Sequence, residues 1–330
     1  MARGVRFHET GGPDVLKIEQ VDVPAPGAGE VRIKVKALGL NRAEAMFRVG
    51  AYLEDPVFPS KLGYEAAGTI EAVGPDVREF QVGDAVSVVP AFHFAHYGMY
   101  GDLVLAPARA VVKHPETLDW ASAAATWMQY LTAWGALIDI ANLKRGDFVL
   151  IPAASSSVGL AAIQIANQVG ATPIALTRTS AKKADLTEAG AAHVIATAEQ
   201  DLVQDVMRLT DGKGARVVFD PVGGPTMAKL TQATARGGII LLYGALSEEA
   251  TPLPLFDVLG RQQTIRGYVL FEYTTDDAKL ARGRDFVLAG LASGALRPKI
   301  AKTFPFEQIV EAHRYLESNE QVGKVVVLVD

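Results

Sequence analysis

Residues 147–168, DFVLIPAASSSVGLAAIQIANQ, constrain the fold more than any other part of the chain. They read as a buried β-strand, a tight turn of small residues, and a helix that opens at the turn. Such a turn lets the backbone approach a pyrophosphate, and the free N–H groups and partial positive charge of the helix N-terminus favour an anion. The glycine fingerprint of dinucleotide-binding turns is G-x-G-x-x-G. Its three positions here hold Ala154, Ser156 and Gly159, so only the last glycine, needed for packing helix against strand, remains. Ala154 can still make the turn with a negative φ, and Ser155, Ser156 and Ser157 add hydroxyl donors beside the backbone N–H groups. An ordinary strand-to-helix loop with a serine N-cap would read the same way.

The following residues favour the nucleotide reading. Apolar runs of strand length fall at 148–151, 172–176, 193–195, 216–219, 238–243 and 264–268, and helical segments begin near Val158, Ser180, Gln200, Pro225 and Leu253. Near-continuous apolar strands joined by helical crossovers predict an α/β fold with a parallel, doubly wound sheet covered on both faces. The end of the second strand bears on the cofactor. An acid about 20 residues past the fingerprint would bind the ribose 2′-hydroxyl of NAD. The strand instead runs into Thr177, Arg178, Thr179, Ser180, Ala181, Lys182 and Lys183, a polar and cationic cluster suited to a 2′-phosphate. NADPH is therefore the expected cofactor. The competing reading makes Ser180 a helix N-cap and the lysines a solvated face.

A chain of 330 residues with 49% hydrophobic content exceeds what one core usually holds, so two domains are expected. A net charge of −5 offers no basic surface for nucleic acid. No long apolar run or signal-like start points to a membrane or to export, and the cytoplasm is the expected compartment. Cysteine is absent, which excludes disulfides, thiolate zinc sites and thiol nucleophiles. His93 and His96 lie close together in AFHFAHYG but lack the four ligands of a structural zinc site, so no metal is expected.

The first 120 residues have another texture. Segments such as VRIKVKALGL alternate as half-buried strands do, and turn glycines recur at short intervals, as in a compact β-barrel. The last sixty residues supply a helix over about 276–293, a second helix and a Val-rich strand that returns to the first domain. The expected division is a β-rich catalytic domain at 1–121, a dinucleotide-binding domain at 122–268 and a returning segment at 269–330. The active site is expected in the cleft between the first two.

Taken in order, RFHETGGPDVLKIEQVDVPAPGAGEVRIKVKALGLNRAE, GYEAAGTIEAVG, VGDAV, LTAW, AASSSVG, AGAAHVI, FDPVGG, YGAL and GKVVVLV resemble the medium-chain dehydrogenase/reductase superfamily, and within it the zinc-independent quinone oxidoreductases. The resemblance runs nearly end to end. It implies a Rossmann sheet plus a mainly β, GroES-like barrel domain. The superfamily's catalytic zinc ligands are cysteine and histidine, and their positions here hold Asn41, Tyr64 and Met128, none a good substitute. Glu65 survives from the GHE-like pattern, with a structural role expected.

The chemistry left to such a chain is cofactor hydride transfer, with hydrogen-bond donors in place of the metal to polarise a carbonyl. The resemblance puts Asn41 and Tyr52 near the nicotinamide, and the lost ligand position adds Tyr64. It assigns Ser156, Ser157 and Val158 to the pyrophosphate, Arg178, Ser180 and Lys183 to the 2′-phosphate, and Val222, Tyr243, Gly244 and Leu270 to the ribose and nicotinamide. A tyrosine that some relatives bring to the phosphate is replaced by Thr197. The expected substrate is a small apolar quinone or α,β-unsaturated carbonyl, in keeping with the aromatics at Ala91–Tyr100 and with Phe271 and Tyr273. An enoyl thioester reductase and a cofactor-binding protein with little turnover are the alternatives. The sixth strand would lie at an open sheet edge, which predicts a homodimer.

Overall fold

Val31, Ile33 and Val35 are buried while Arg32, Lys34 and Lys36 face outward or lie half-buried, and this period of two builds a ten-residue strand. The computed structural model describes residues 1–115 and 117–330. In chain order its strands are β1 Ala2–Arg6, β2 Lys17–Val21, β3 Glu30–Gly39, β4 Glu65–Val73, β5 Ala85–Val88, β6 Leu103–Pro107 and β7 Val111–Lys113. Next come β8 Phe148–Ile151, β9 Thr172–Thr177, β10 His193–Ala196, β11 Ala215–Asp220, β12 Thr234–Leu242 and β13 Thr264–Gly267. The chain closes with β14 Ile300–Pro305 and β15 Lys324–Leu328.

These elements form two compact units. One comprises Met1–Met128, Thr274–Leu280 and Pro298–Asp330, the other Gln129–Tyr273 and Ala281–Arg297. In the first, a sheet runs β14-β15-β3-β4-β5-β7, β6 pairs with β3, and β1 and β2 form a separate ribbon. The last strand of the chain completes the sheet begun by the third, with Val326, Val327 and Leu328 opposite Gly39, Leu38 and Ala37. The helix Trp120–Ala124 lies against these strands, where Ala123 and Ala124 join Ala37, Ala67 and Val326 in one buried cluster. Contact there is so close that a Cβ on Gly39 would fall 2.1 Å from the Ala124 carbonyl oxygen.

The second unit carries a six-stranded sheet in the order β10-β9-β8-β11-β12-β13, parallel at every pairing. Strand order reverses beside β8, so the carboxyl ends of β8 and β11 make the switch point at which ligands of such folds bind. Leu150, Ile174, Ile195, Val218 and Ile240 from five of the strands share one core with Leu202, Val206 and Leu230 from the crossover helices. Strand β12 begins four residues before the apolar run that predicts it. Thr234 pairs with Ala215, and the register then slips so that Val217 meets Ile239, which hides Arg236, Gly237 and Gly238 in a bulge rather than a turn.

Candidate active site

The turn after β8 is built as the sequence requires, with one addition. Ala154 is fully buried and avoids positive φ, as expected, while its neighbour Ala153 takes the left-handed backbone, at φ 49°. Ser156 caps the helix Ser157–Val169 by accepting the Gly159 N–H at 3.0 Å. The N–H groups of Ser157 and Val158 belong to the first turn and have no intrahelical acceptor, which leaves them for an anion. A Cβ on Gly159 would fall 2.6 Å from the Ala154 carbonyl oxygen, so the retained glycine is the one that the backbone packing demands.

At the ends of β11 and β12 the chain forms a second wall. The buried Asp220 carboxylate accepts the N–H of Val222 at 2.8 Å and of Gly223 at 3.1 Å, bracing the loop that presents Val222. Burial pushes the Asp220 carboxyl above its usual range, against the pull of those two bonds. Tyr243 stacks on Phe219 with ring centroids 3.9 Å apart, and its buried hydroxyl faces the Ser156 side chain at the start of the helix. Gly244 is fixed by close approach, since a Cβ there would meet the Pro221 carbonyl oxygen at 2.8 Å. Leu270 is buried just beyond β13. The switch-point geometry therefore brings together Ala154–Gly159, Val222, Tyr243 and Gly244.

The cationic cluster after β9 is arranged less simply. Arg178 and Lys183 are exposed, while the half-buried Lys182 donates to Ser155 Oγ at 3.3 Å and so reaches the turn. Ser180 gives both its backbone N–H, at 2.9 Å, and its hydroxyl, at 3.3 Å, to Glu199 Oε1. The acid absent after the second strand thus arrives from the loop after the third, a position no pattern search along the second strand would reach. Thr197 turns inward, its hydroxyl donating to the Thr177 carbonyl at 3.2 Å.

In the first unit, Asn41, Tyr64 and Met128 converge on two buried carboxylates. Asn41 precedes the helix Arg42–Arg48, and its N–H donates to Glu44 Oε2 at 2.8 Å, one half of a capping box. The Asn41 Nδ2 donates to the Gly39 carbonyl at 3.1 Å, with Glu44 and Glu65 each at 3.2 Å. Its Oδ1 accepts from Lys324 Nζ at 2.6 Å, and Lys324 also pairs with Glu65. The Tyr64 N–H donates to Glu44 at 2.9 Å and the Met128 N–H to Glu65 at 2.8 Å. Burial raises the Glu44 carboxyl above its usual range, opposed by hydrogen bonds from Tyr100, Tyr64 and Asn41 and by the charge of Lys324.

The network continues inward from Glu44. Tyr100 donates to Glu44 at 2.6 Å and lies 3.2 Å from His313 Nε2. Arg48, a pure donor, faces His313 Nδ1 at 3.0 Å, which puts the imidazole proton on Nε2. Burial, with the Arg48 charge beside it, depresses His313 to about 3 and keeps it neutral. Lys324, Glu44, Arg48, Tyr100 and His313 carry this network, and sequence reading assigned none of them. The only trace of Lys324 is its place in GKVVVLV; the others come from three elements far apart in sequence.

Tyr52 and Tyr64 make a separate pair. Tyr64 is fully buried and stacks on Phe94 at 3.8 Å, and the half-buried Tyr52 lies 6.3 Å from the same ring. The Tyr64 hydroxyl donates to Glu54 Oε1 at 3.2 Å and also meets the Tyr52 hydroxyl. Burial pushes Tyr52 up to about 12, helped by the charges of Glu54 and Glu44, and raises Tyr64 further. Both hydroxyls are therefore protonated at neutral pH.

These donors do not suit zinc. Tyr64 is a neutral phenol, the Asn41 amide is committed on both its atoms, Met128 offers a thioether, and Glu65 is neutralised by Lys324. Among the described residues no group of three or more His, Asp or Glu side chains is placed to hold a metal ion. The cradle at the switch point does suit a dinucleotide: a close-packed small-residue turn in which a Cβ on Gly159 has no room, and unclaimed N–H groups of Ser157 and Val158 at the helix start.

Comparison with known proteins agrees with this architecture. The family model of the alcohol dehydrogenase GroES-like domain matches residues 27–116, and that of the zinc-binding dehydrogenases matches residues 157–284. The chain is 31% identical to a 2-haloacrylate reductase of Burkholderia sp, across 99% of both proteins. It is 32% identical to the Homo sapiens quinone oxidoreductase, across 99% of this chain and 98% of that one. The solved Escherichia coli quinone oxidoreductase complexed with NADPH superposes with a TM-score of 0.91 at 29% identity, over 99% of each chain. The chain belongs to the medium-chain dehydrogenase/reductase superfamily, among its quinone oxidoreductase-like members.

Proposed function

We propose that the chain is a zinc-independent, NADPH-dependent reductase acting on a quinone or an α,β-unsaturated carbonyl. The observation that carries this reading is the dinucleotide cradle at the switch point of the second unit; within the first unit, the protonated Tyr64 occupies a position that holds a zinc ligand elsewhere in the superfamily. The names of the relatives, quinone oxidoreductase and 2-haloacrylate reductase, support that substrate range. The hydride comes from the reduced nicotinamide of the bound cofactor.

The protein's own groups supply the rest. Ser157 and Val158 would hold the pyrophosphate with their unclaimed backbone N–H groups, at a helix start that Ser156 caps through the Gly159 N–H, while Ser155 and Lys182 would flank it. Arg178, Ser180 and Lys183 serve the 2′-phosphate once Ser180 exchanges Glu199 for it. Val222, Tyr243, Gly244 and Leu270 flank the ribose and nicotinamide. A hydroxyl such as Tyr52, pushed up to about 12, keeps its proton until a strongly basic enolate or alkoxide develops beside it. Tyr64 supports it, and Asn41 acts through the buried network that fixes this part of the fold.

The chain is further assigned to the cytoplasm, the compartment expected from its composition; no helix among the described residues is long and apolar enough to cross a membrane. It is read as a homodimer formed at the edge of the second unit's sheet. There β13 is the terminal strand, and the neighbouring helix Leu255–Arg261 exposes Leu255, Phe256 and Leu259.

The test is absorbance at 340 nm with metal-free protein, comparing NADPH and NADH against 1,4-benzoquinone, 9,10-phenanthrenequinone, an alkenal and a crotonyl thioester. Oxidation of NADPH by a quinone or the alkenal is expected. Oxidation by the thioester alone would make the chain an enoyl thioester reductase, and NADPH binding without oxidation by any of them would make it a binding protein.

A further inference from the structure

Tyr64 carries one hydroxyl proton and faces two acceptors. On one side is the Tyr52 hydroxyl, on the other Glu54 Oε1 at 3.2 Å. Its ring is enclosed by Phe92 and Phe94, and the residue has no exposed surface, so solvent does not reach it from its own side. Glu54 is held in place by the Phe94 N–H, which donates to the same Oε1 at 3.1 Å. The other carboxylate oxygen, Oε2, lies 3.7 Å from Nδ1 of His93. Exposure rises along this line: Tyr64 is fully buried, the Glu54 side chain is 19% exposed and that of His93 is 56% exposed. Polar groups that can each take and give a proton thus run in single file from a buried phenol to an imidazole in water, through a wall that is otherwise aromatic.

We propose that Tyr64, Glu54 and His93 form a proton relay that reloads the Tyr52 hydroxyl from solvent after each turnover. The inference rests on the reductase reading, in which Tyr52 is the proton donor. When hydride has added to the β-carbon of an enone, the electron pair of the carbon–carbon double bond has moved to the carbonyl oxygen as an enolate, and one proton is required to complete reduction. The Tyr52 O–H bond breaks and the proton passes to the enolate. The Tyr52 phenolate takes the Tyr64 proton, and Tyr64 regains one through Glu54, whose carboxylate accepts it from His93 and passes it on, while His93 draws on water. The sum is one hydride from the cofactor and one proton from solvent for each carbon–carbon double bond reduced, the enolate returning to the carbonyl. Tyr64 can serve because its hydroxyl rotates between Tyr52 and Glu54, and the 3.7 Å step from Glu54 to His93 is closed by a small rotamer change or one bridging water. His93, set aside as a metal ligand, acquires a role at the mouth of this line.

The experiment uses the full-length protein with NADPH and an alkenal. Glu54→Gln keeps a carbonyl oxygen for Tyr64 and for the Phe94 N–H but neither takes up nor releases a proton. It should lower kcat by about a hundredfold with NADPH affinity unchanged, raise the solvent deuterium isotope effect on kcat, and regain rate on adding imidazole buffer. His93→Gln, at an exposed position where folding is not at stake, should lower kcat less and respond to the same buffer. Unchanged kcat and isotope effect in both variants, beside an active parent protein, would overturn the relay and leave the reductase reading intact. Equal losses in Glu54→Gln with no imidazole rescue and no change in isotope effect would also overturn it, assigning Glu54 a packing role. A parent protein without turnover overturns both readings together.

Discussion

Lys324 sits 1% exposed between Glu65 and the Asn41 carbonyl, and the balance at this residue is steep. A buried pair that is well matched contributes little net stability, but removing one partner strands the other in a medium that cannot solvate it. Lys324→Met should therefore cost about 3–5 kcal/mol in denaturant unfolding, whereas an exposed lysine such as Lys213 should cost almost nothing on the same change. His313 makes a pH prediction. Its folded value of about 3 lies below the unfolded 6.5, so between those values the unfolded chain binds more protons. Its contribution is complete above pH 6.5 and is lost as pH falls toward 3, by at most about 1.4 kcal/mol per unit. Glu44, raised above its ordinary value, works in the other direction, losing stability as pH rises through its folded value. Comparing unfolding of the parent with His313→Gln at pH 7, 5.5 and 4.5 isolates the histidine: the parent's advantage should shrink stepwise, and a constant difference would contradict a neutral buried imidazole. At the proposed cofactor corner, Glu199 accepts from both the N–H and the hydroxyl of Ser180, so on our reading it would compete with a 2′-phosphate for that residue. Glu199→Gln should tighten NADPH several-fold, on the order of 1 kcal/mol, and leave NADH nearly unchanged; equal effects on both in fluorescence titration would detach Glu199 from selectivity.

At the scale of elements, the switch-point turn depends on backbone contact more than on side chains. Gly159→Ala forces its Cβ into the Ala154 carbonyl, so the helix must move off the strand. The variant should bind NADPH at least tenfold more weakly, about 1.4 kcal/mol, and unfold earlier; unchanged affinity by titration calorimetry would contradict the close-packed turn. The six strands and the crossover helices of this unit were legible because each is an uninterrupted apolar run or an amphipathic period, and such runs have few other ways to be buried. The bulge at Arg236, Gly237 and Gly238 was not, since its cause is the pairing of Thr234 with a strand twenty residues earlier. The left-handed Ala153 escaped for a similar reason: alanine does not announce a positive φ as glycine does.

For the whole molecule, Phe256 is 89% exposed on a helix whose neighbours Leu255 and Leu259 are also open, beside the terminal strand β13. If this edge pairs with its symmetry mate, Phe256→Asp should convert a dimer into a monomer in light scattering at micromolar concentration while leaving the far-ultraviolet spectrum intact. A monomeric parent would refute the dimer outright. The sequence by itself determined the α/β class, the alternation of strands and helices in the parallel sheet, the small-residue turn, and the absence of any cysteine ligand, because these follow from local periodicity and from which side chains are present. What only the tertiary structure decided is who meets whom: Lys324 with Asn41 and Glu65, Arg48 with His313, Glu199 with Ser180, and Glu54 between Tyr64 and His93. The physical reason is that burial of an apolar run is a one-body preference, readable along the chain. The partner of a buried charge is fixed by which strand closes the sheet, and β15 reaches β3 across nearly the whole sequence.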